Sequence, residues 1–139
     1  QYCTEFGFFQ TPRNEVSGMR SQVLHLDFWP DYCSRIFGSR LPENKAEQTN
    51  KLYGGLEIKG KNIFFANAEE DPWQWAAMRE LHTSQQEESM TAAMINCTDC
   101  GHCIDFHTPT DTQPEALTVV QEQIADTIAG WLAAAKQIE

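Results

Sequence analysis

The sequence has no initiator methionine and no apolar leader, and it opens at Gln1. It reads as a chain cut from something longer. No run approaches the roughly 20 continuous apolar residues of a membrane span, which excludes a transmembrane helix. Basic residues are scarce: ten Lys and Arg stand against twenty Asp and Glu, a formal net charge of −10. Such a surface repels phosphate backbones and anionic headgroups, which argues against nucleic acid as a partner. Internal repeats and low-complexity tracts are also absent.

Cysteine, by contrast, is abundant. Five cysteines (Cys3, Cys33, Cys97, Cys100, Cys103) are many for a short cytosolic chain and ordinary for an exported one. Their odd number leaves at least one thiol free or paired outside these residues. Asn96-Cys97-Thr98 fits the N-glycosylation acceptor pattern, so Asn96 is a glycosylation candidate and points to the same compartment.

Along the chain, residues 1–12 are aromatic and apolar and end at Thr11-Pro12, as in a buried extended segment or loop. Short helices are expected through Tyr32, Ile36 and Phe37, with Pro30 in the first turn and Gly38 closing, and over about 42–53, stopped by Gly54-Gly55. Residues 62–66, Asn-Ile-Phe-Phe-Ala, form an apolar run between polar flanks, the mark of a strand buried on both faces in a parallel sheet. Residues 72–82 are Trp- and Ala-rich and read as helical, 83–89 as a polar loop, and 91–95 as the next strand. Finally Leu117, Val120, Ile124, Ile128, Trp131, Ala135 and Ile138 recur every three or four residues, one face of a long helix. Thr112-Gln113-Pro114-Glu115 supplies a capping box, placing its start near Gln113. Trp131 on this stripe is expected to be core. The order resembles the tail of a doubly wound α/β sheet.

In such sheets functional groups gather on loops past the carboxyl ends of the strands. The first strand delivers Asp71 to one loop and the second delivers His102 to the next. A carboxylate beside an imidazole can fix the ring's tautomer and stabilise its cation, so that the other nitrogen can take a nucleophile's proton. The order Asp then His fits the last two members of an α/β-hydrolase triad. The plainer alternatives are a turn or helix cap for Asp71 and a structural role for His102. Ser17, Ser21, Ser34, Ser39, Ser84 and Ser89 all lack Gly-x-Ser-x-Gly flanks, so the nucleophile would lie outside this chain. A rival use of His102 is a zinc site with Cys97, Cys100 and Cys103. Their even spacing in one short loop is unlike the separated ligand pairs of structural zinc, and disulfides fit better. His25, His82 and His107 lack a carboxylate partner recognisable in sequence. Glu5, in an apolar stretch, is expected to be paired or to face a pocket.

Several strings together resemble a known family, the serine peptidases that include lysosomal Pro-X carboxypeptidase, dipeptidyl peptidase II and thymus-specific serine protease. They are Cys3-Thr4-Glu5-Phe6-Gly7-Phe8-Phe9, Cys33 with Phe37-Gly38, and Gln48-Thr49-Asn50 before Tyr53-Gly54-Gly55. Residues 62–67 leading into Asp71-Pro72-Trp73, and Gly101-His102-Cys103-Ile104-Asp105, complete the set, in the family's order over nearly the whole chain. The thymus-specific branch shares Cys-Thr-Glu-Phe-Gly-Phe, Gln-Thr-Asn and His-Cys-x-Asp.

The resemblance implies an α/β-hydrolase core with an inserted helical domain that cleaves peptides, exopeptidase-like and often beside proline. Residues 1–139 would be its C-terminal segment: 1–58 a loop- and helix-rich lead after the insertion, 59–139 the last strands, the two catalytic loops and the terminal helix. The family's catalytic Asp falls on Asp71 and its catalytic His on His102; its nucleophile matches no residue here. A Cys3–Cys33 disulfide is implied, worth about 3 to 4 kcal/mol by loop closure. No cofactor or metal is implied. The expected partners are a peptide substrate and the missing N-terminal part bearing the serine, with a homodimer of the full-length protein left open. The expected location is secreted or lysosomal. In two places the chain departs from the pattern: Ala68 stands where the family has Gly, and Cys97 and Cys100 are extra.

Overall fold

The computed structural model describes residues 1–12, 20–38, 41–81 and 89–137. They form two compact units, Gln1–Gly55 and Leu56–Glu139.

The first unit is helical. Tyr2–Phe6 makes one wide π-helical turn, closed where Gly7 N–H reaches the Tyr2 carbonyl, and none of its residues is buried. This corrects the extended, buried reading of residues 1–12. Helix α1 runs Phe28–Phe37, so Pro30 sits inside its first turn, and Gly38 ends it at φ 79°. Helix α2 runs Ala46–Tyr53 and ends at Gly54, φ 97°, a left-handed position that suits glycine. It starts later than residue 42, after a turn in which the Asn44 side chain accepts the Ala46 N–H. A Cys3–Cys33 disulfide ties the opening turn to α1. Tyr2, Phe9, Phe28, Trp29 and Tyr32 pack ring against ring around it, with centroids 5.1–6.0 Å apart.

The second unit is α/β. Strands β1 (Ile63–Ala68) and β2 (Met90–Ile95) pair in parallel, with Ile63 opposite Met90 and Ala68 opposite Ile95. Their entries are pinned together: Asn62 and Ser89 both adopt positive φ, and the Ser89 hydroxyl donates to Asn62 Oδ1 while accepting the Asn62 N–H. Helix α3 (Glu115–Ala135) lies on the sheet. Leu117 and Val120 enter a core with Ala68, Ile95 and Cys100, against which Phe64, Ala66 and Ile124 pack.

Three expectations change here. Strand β1 is not buried on both faces: residues 63–66 are half-buried and only Asn67 and Ala68 are fully covered. Residues after Pro72 form a short 3-10 helix, Pro72–Ala76, not a longer α-helix, because Ala77 is already extended at φ −113°, ψ 166°. The Met78 side chain is buried and its carbonyl accepts the Asn67 amide, so tertiary contacts override the local helix preference. The capping box is not formed, since Pro114 at the cap is extended and makes no side-chain cap bond. Gln113 takes over, accepting the Thr110 N–H and donating to Thr118 and Gln121. His82 and most of the 83–89 loop lie outside the described residues, as does Ile138 at the end of the stripe.

Candidate active site

Asp71 sits just past the carboxyl end of β1 because the chain turns at once: its N–H donates to the Ala68 carbonyl at 3.1 Å. Pro72 then opens the 3-10 helix, for which Asp71 is the N-cap. Asp71 Oδ1 accepts the Trp73 N–H at 2.8 Å, and Asp71 Oδ2 lies 2.8 Å from His102 Nδ1. The cap reading and the histidine-partner reading are therefore both satisfied, by different oxygens. With both oxygens engaged, the plane of the carboxylate is fixed, and the Asp71 side chain is only 10% exposed.

His102 comes from the loop past β2. Its side chain is 61% exposed, and among the described residues nothing else bonds its ring. Engagement of Nδ1 leaves Nε2 free to accept or give a proton at the surface.

The two loops are laced together. Glu69 N–H donates to the Ile95 carbonyl, extending the ladder by one rung, and Glu70 N–H donates to the Cys100 carbonyl. Glu70 Oε2 also accepts the Asp99 N–H at 3.1 Å. On the far side of His102, Gln121 of α3 donates to the carbonyls of Asp105 and His107 at 3.1 and 2.9 Å. Cys97 and Cys100 form a disulfide within the loop, and Cys103 is free and exposed. That disulfide removes two of the four ligands of the zinc alternative. No group of three His, Cys, Asp or Glu side chains is arranged to hold a metal among the described residues.

A cleft of about 630 Å³ opens at this edge, with Asp71, His102 and Asp105 on it and Trp73, Phe106 and Trp131 among its apolar walls. Trp131, expected in the core, instead lines the cleft with Ile124 and Ile128. The helical stripe serves the core in its first turns and the cleft further along.

The remaining candidates fall elsewhere. Glu5 is exposed, which overturns the expectation of a paired or pocket-facing carboxylate. His25 does have a carboxylate nearby, Asp27 Oδ2 at 3.9 Å, with both side chains exposed. His107 is exposed, and so is Asn96. Ala68 fits where the family has Gly, buried in the core at the end of β1.

Two supporting residues had no role assigned from sequence. Asn67 is 7% exposed and donates to the Met78 carbonyl at 2.7 Å; Gln74 is 6% exposed and donates to the Glu69 carbonyl. Together they hold the Asp71 turn from both sides. An amide closing an apolar strand was the available signal for Asn67, since a buried amide needs a partner. Nothing local marks Gln74.

A parallel α/β unit presenting a buried carboxylate and an exposed imidazole on adjacent carboxyl-end loops defines a general class of site. The particular family follows from comparison with known proteins. The profile of the serine carboxypeptidase S28 family matches residues 1–124, and the chain belongs to that family. The human thymus-specific serine protease is 31% identical over 139 residues, covering 99% of this chain and 26% of that protein. A Caenorhabditis elegans protein named as a serine protease is 29% identical over 140 residues, covering 95% of this chain and 26% of its own. A protein of Arthroderma benhamiae named as an extracellular serine carboxypeptidase is 26% identical over 141 residues, covering 95% and 19%. The chain thus spans about a quarter or less of the length of these relatives. No solved structure matches it.

Proposed function

We propose that this chain supplies the aspartate and histidine of a serine peptidase of the α/β-hydrolase type, acting on peptides in the manner of an exopeptidase with a preference near proline. The observation that carries the reading is the 2.8 Å contact of His102 Nδ1 with Asp71 Oδ2 at the edge of an apolar-walled cleft. In this mechanism a serine outside these residues attacks the scissile carbonyl. His102 Nε2 takes the serine proton and then delivers it to the leaving amine, so proton count is conserved over acylation. Asp71 holds the tautomer in which Nδ1 carries hydrogen and stabilises the transient imidazolium, while its second oxygen, tied to Trp73, keeps the carboxylate from turning away. Family membership and the relatives' names support the peptidase chemistry. Two disulfides and an exposed Asn96 sequon support a secreted or lysosomal setting.

The test is substitution in the full-length protein. Asp71→Ala and His102→Ala should each lower peptidase kcat by about 10³-fold or more, as removal of a triad member does. Turnover within a few-fold of the parent in either variant would sink the assignment.

A further inference from the structure

We infer that Glu70 is a positioning residue, a two-pronged clamp that sets the His102 loop at bonding distance from Asp71; the inference rests on the catalytic reading above and deepens it. Glu70 immediately precedes Asp71, so whatever it grips is held in register with the carboxylate. It grips the other loop twice. Its backbone N–H donates to the Cys100 carbonyl at 3.2 Å, and its carboxylate accepts the Asp99 N–H at 3.1 Å. Both partners lie within three residues of His102.

The second contact acts on the turn that leads into the His102 loop. Asp99 has φ 62°, a left-handed turn position that Asp tolerates better than most L-residues but that is still sparsely populated. Such a conformation persists where its surroundings over-determine it. The Glu70 side-chain oxygen that accepts the Asp99 N–H adds such a constraint. The Cys97–Cys100 disulfide closes the loop on itself, and Cys100 is 1% exposed in the core, which anchors one end. Neither feature orients the Thr98–Asp99 turn towards the Asp71 loop; Glu70 does. Because Glu70 and Asp99 are both exposed, losing the contact should cost little stability, while a shift of the imidazole by a fraction of an ångström is costly to a proton-transfer geometry.

Three full-length variants and one spectrum test the inference. Glu70→Ala should keep the parent's unfolding temperature within a few degrees and its KM within about twofold, yet lower kcat by about 10- to 100-fold. Glu70→Gln, which retains an oxygen acceptor for the Asp99 N–H, should recover most of that loss. The low-field proton resonance of His102 Nδ1–H should weaken or move in Glu70→Ala and return in Glu70→Gln. Unchanged kcat and an unchanged resonance in Glu70→Ala would overturn the clamp. So would equal losses in the Ala and Gln variants, because they would trace to the charge. His102→Ala, run alongside, separates the two levels. If it leaves turnover intact the catalytic reading itself falls; if it abolishes turnover while Glu70→Ala does not, only the clamp falls.

Discussion

Asp71 illustrates how one side chain can meet two partners at once. A helix-capping carboxylate normally uses one oxygen on the first free N–H groups. Here that oxygen fixes the plane of the group, and the second oxygen is delivered to His102 as a consequence. The same economy holds for Asn67, whose amide closes β1 while its donor binds Met78 and shapes the turn that follows. Replacing Asn67 by Ala leaves the Met78 carbonyl unpaired in a buried place. Urea unfolding should register a loss of about 1 to 3 kcal/mol, the usual cost of an orphaned buried polar group. A change below a few tenths would show that solvent reaches the Met78 carbonyl. At this scale the sequence was informative where a residue type has few other uses: Asp before Pro, His after Gly, Gly where φ is positive. Gln74 was illegible because a glutamine among tryptophans has no local signature; only the fold turns its amide towards Glu69.

At the scale of elements, apolar patterning located β1, β2 and α3 to within a few residues. It located them because burial of one face is imposed by the same spacing that defines the element. Ends were less legible, since they depend on caps. Asn44 makes a turn ahead of α2, and Gln113 replaces the expected Thr112–Glu115 box by reaching forward to Thr118 and Gln121. The segment after Pro72 misled for a related reason: good helix formers were overruled by the burial of Met78 and the hydrogen bond to its carbonyl. The sheet and α3 meet at Ile95, which is 0% exposed. Ile95→Ala should therefore destabilise by about 2 to 5 kcal/mol, measured by thermal or chemical unfolding. A loss under about 1 kcal/mol would mean that α3 collapses onto the vacancy.

For the whole molecule, the chain presents much apolar surface: Phe106 is 84% exposed, Leu52 76%, Trp75 72% and Tyr53 70%. Strand β1 is half-buried along most of its length, although parallel sheets are ordinarily covered on both faces. Both features fit a chain that matches about a quarter of its relatives' length. Produced alone, these residues should hydrolyse no peptide substrate and should enhance the fluorescence of a hydrophobic dye such as ANS. Peptidase turnover by the purified chain would show that its own residues provide a nucleophile, against the reading above.

Sequence by itself determined the α/β character of the second unit, the cysteines available for pairing, the acidic surface and the residues able to do acid–base chemistry. These follow from composition and from periodicities that any packed chain must respect. The tertiary structure alone decided that Cys97 joins Cys100 and leaves Cys103 free, that Trp131 faces a cleft, that Glu5 faces solvent, and that Glu70 bridges two loops. The reason is physical: hydrogen bonds and packing between distant residues depend on where separate elements come to rest, and short-range pattern carries no information about that. Asp71 and His102 lie on both sides of this division. Spacing put them on neighbouring loops, and only the packed turn after β1 brought Oδ2 and Nδ1 to 2.8 Å.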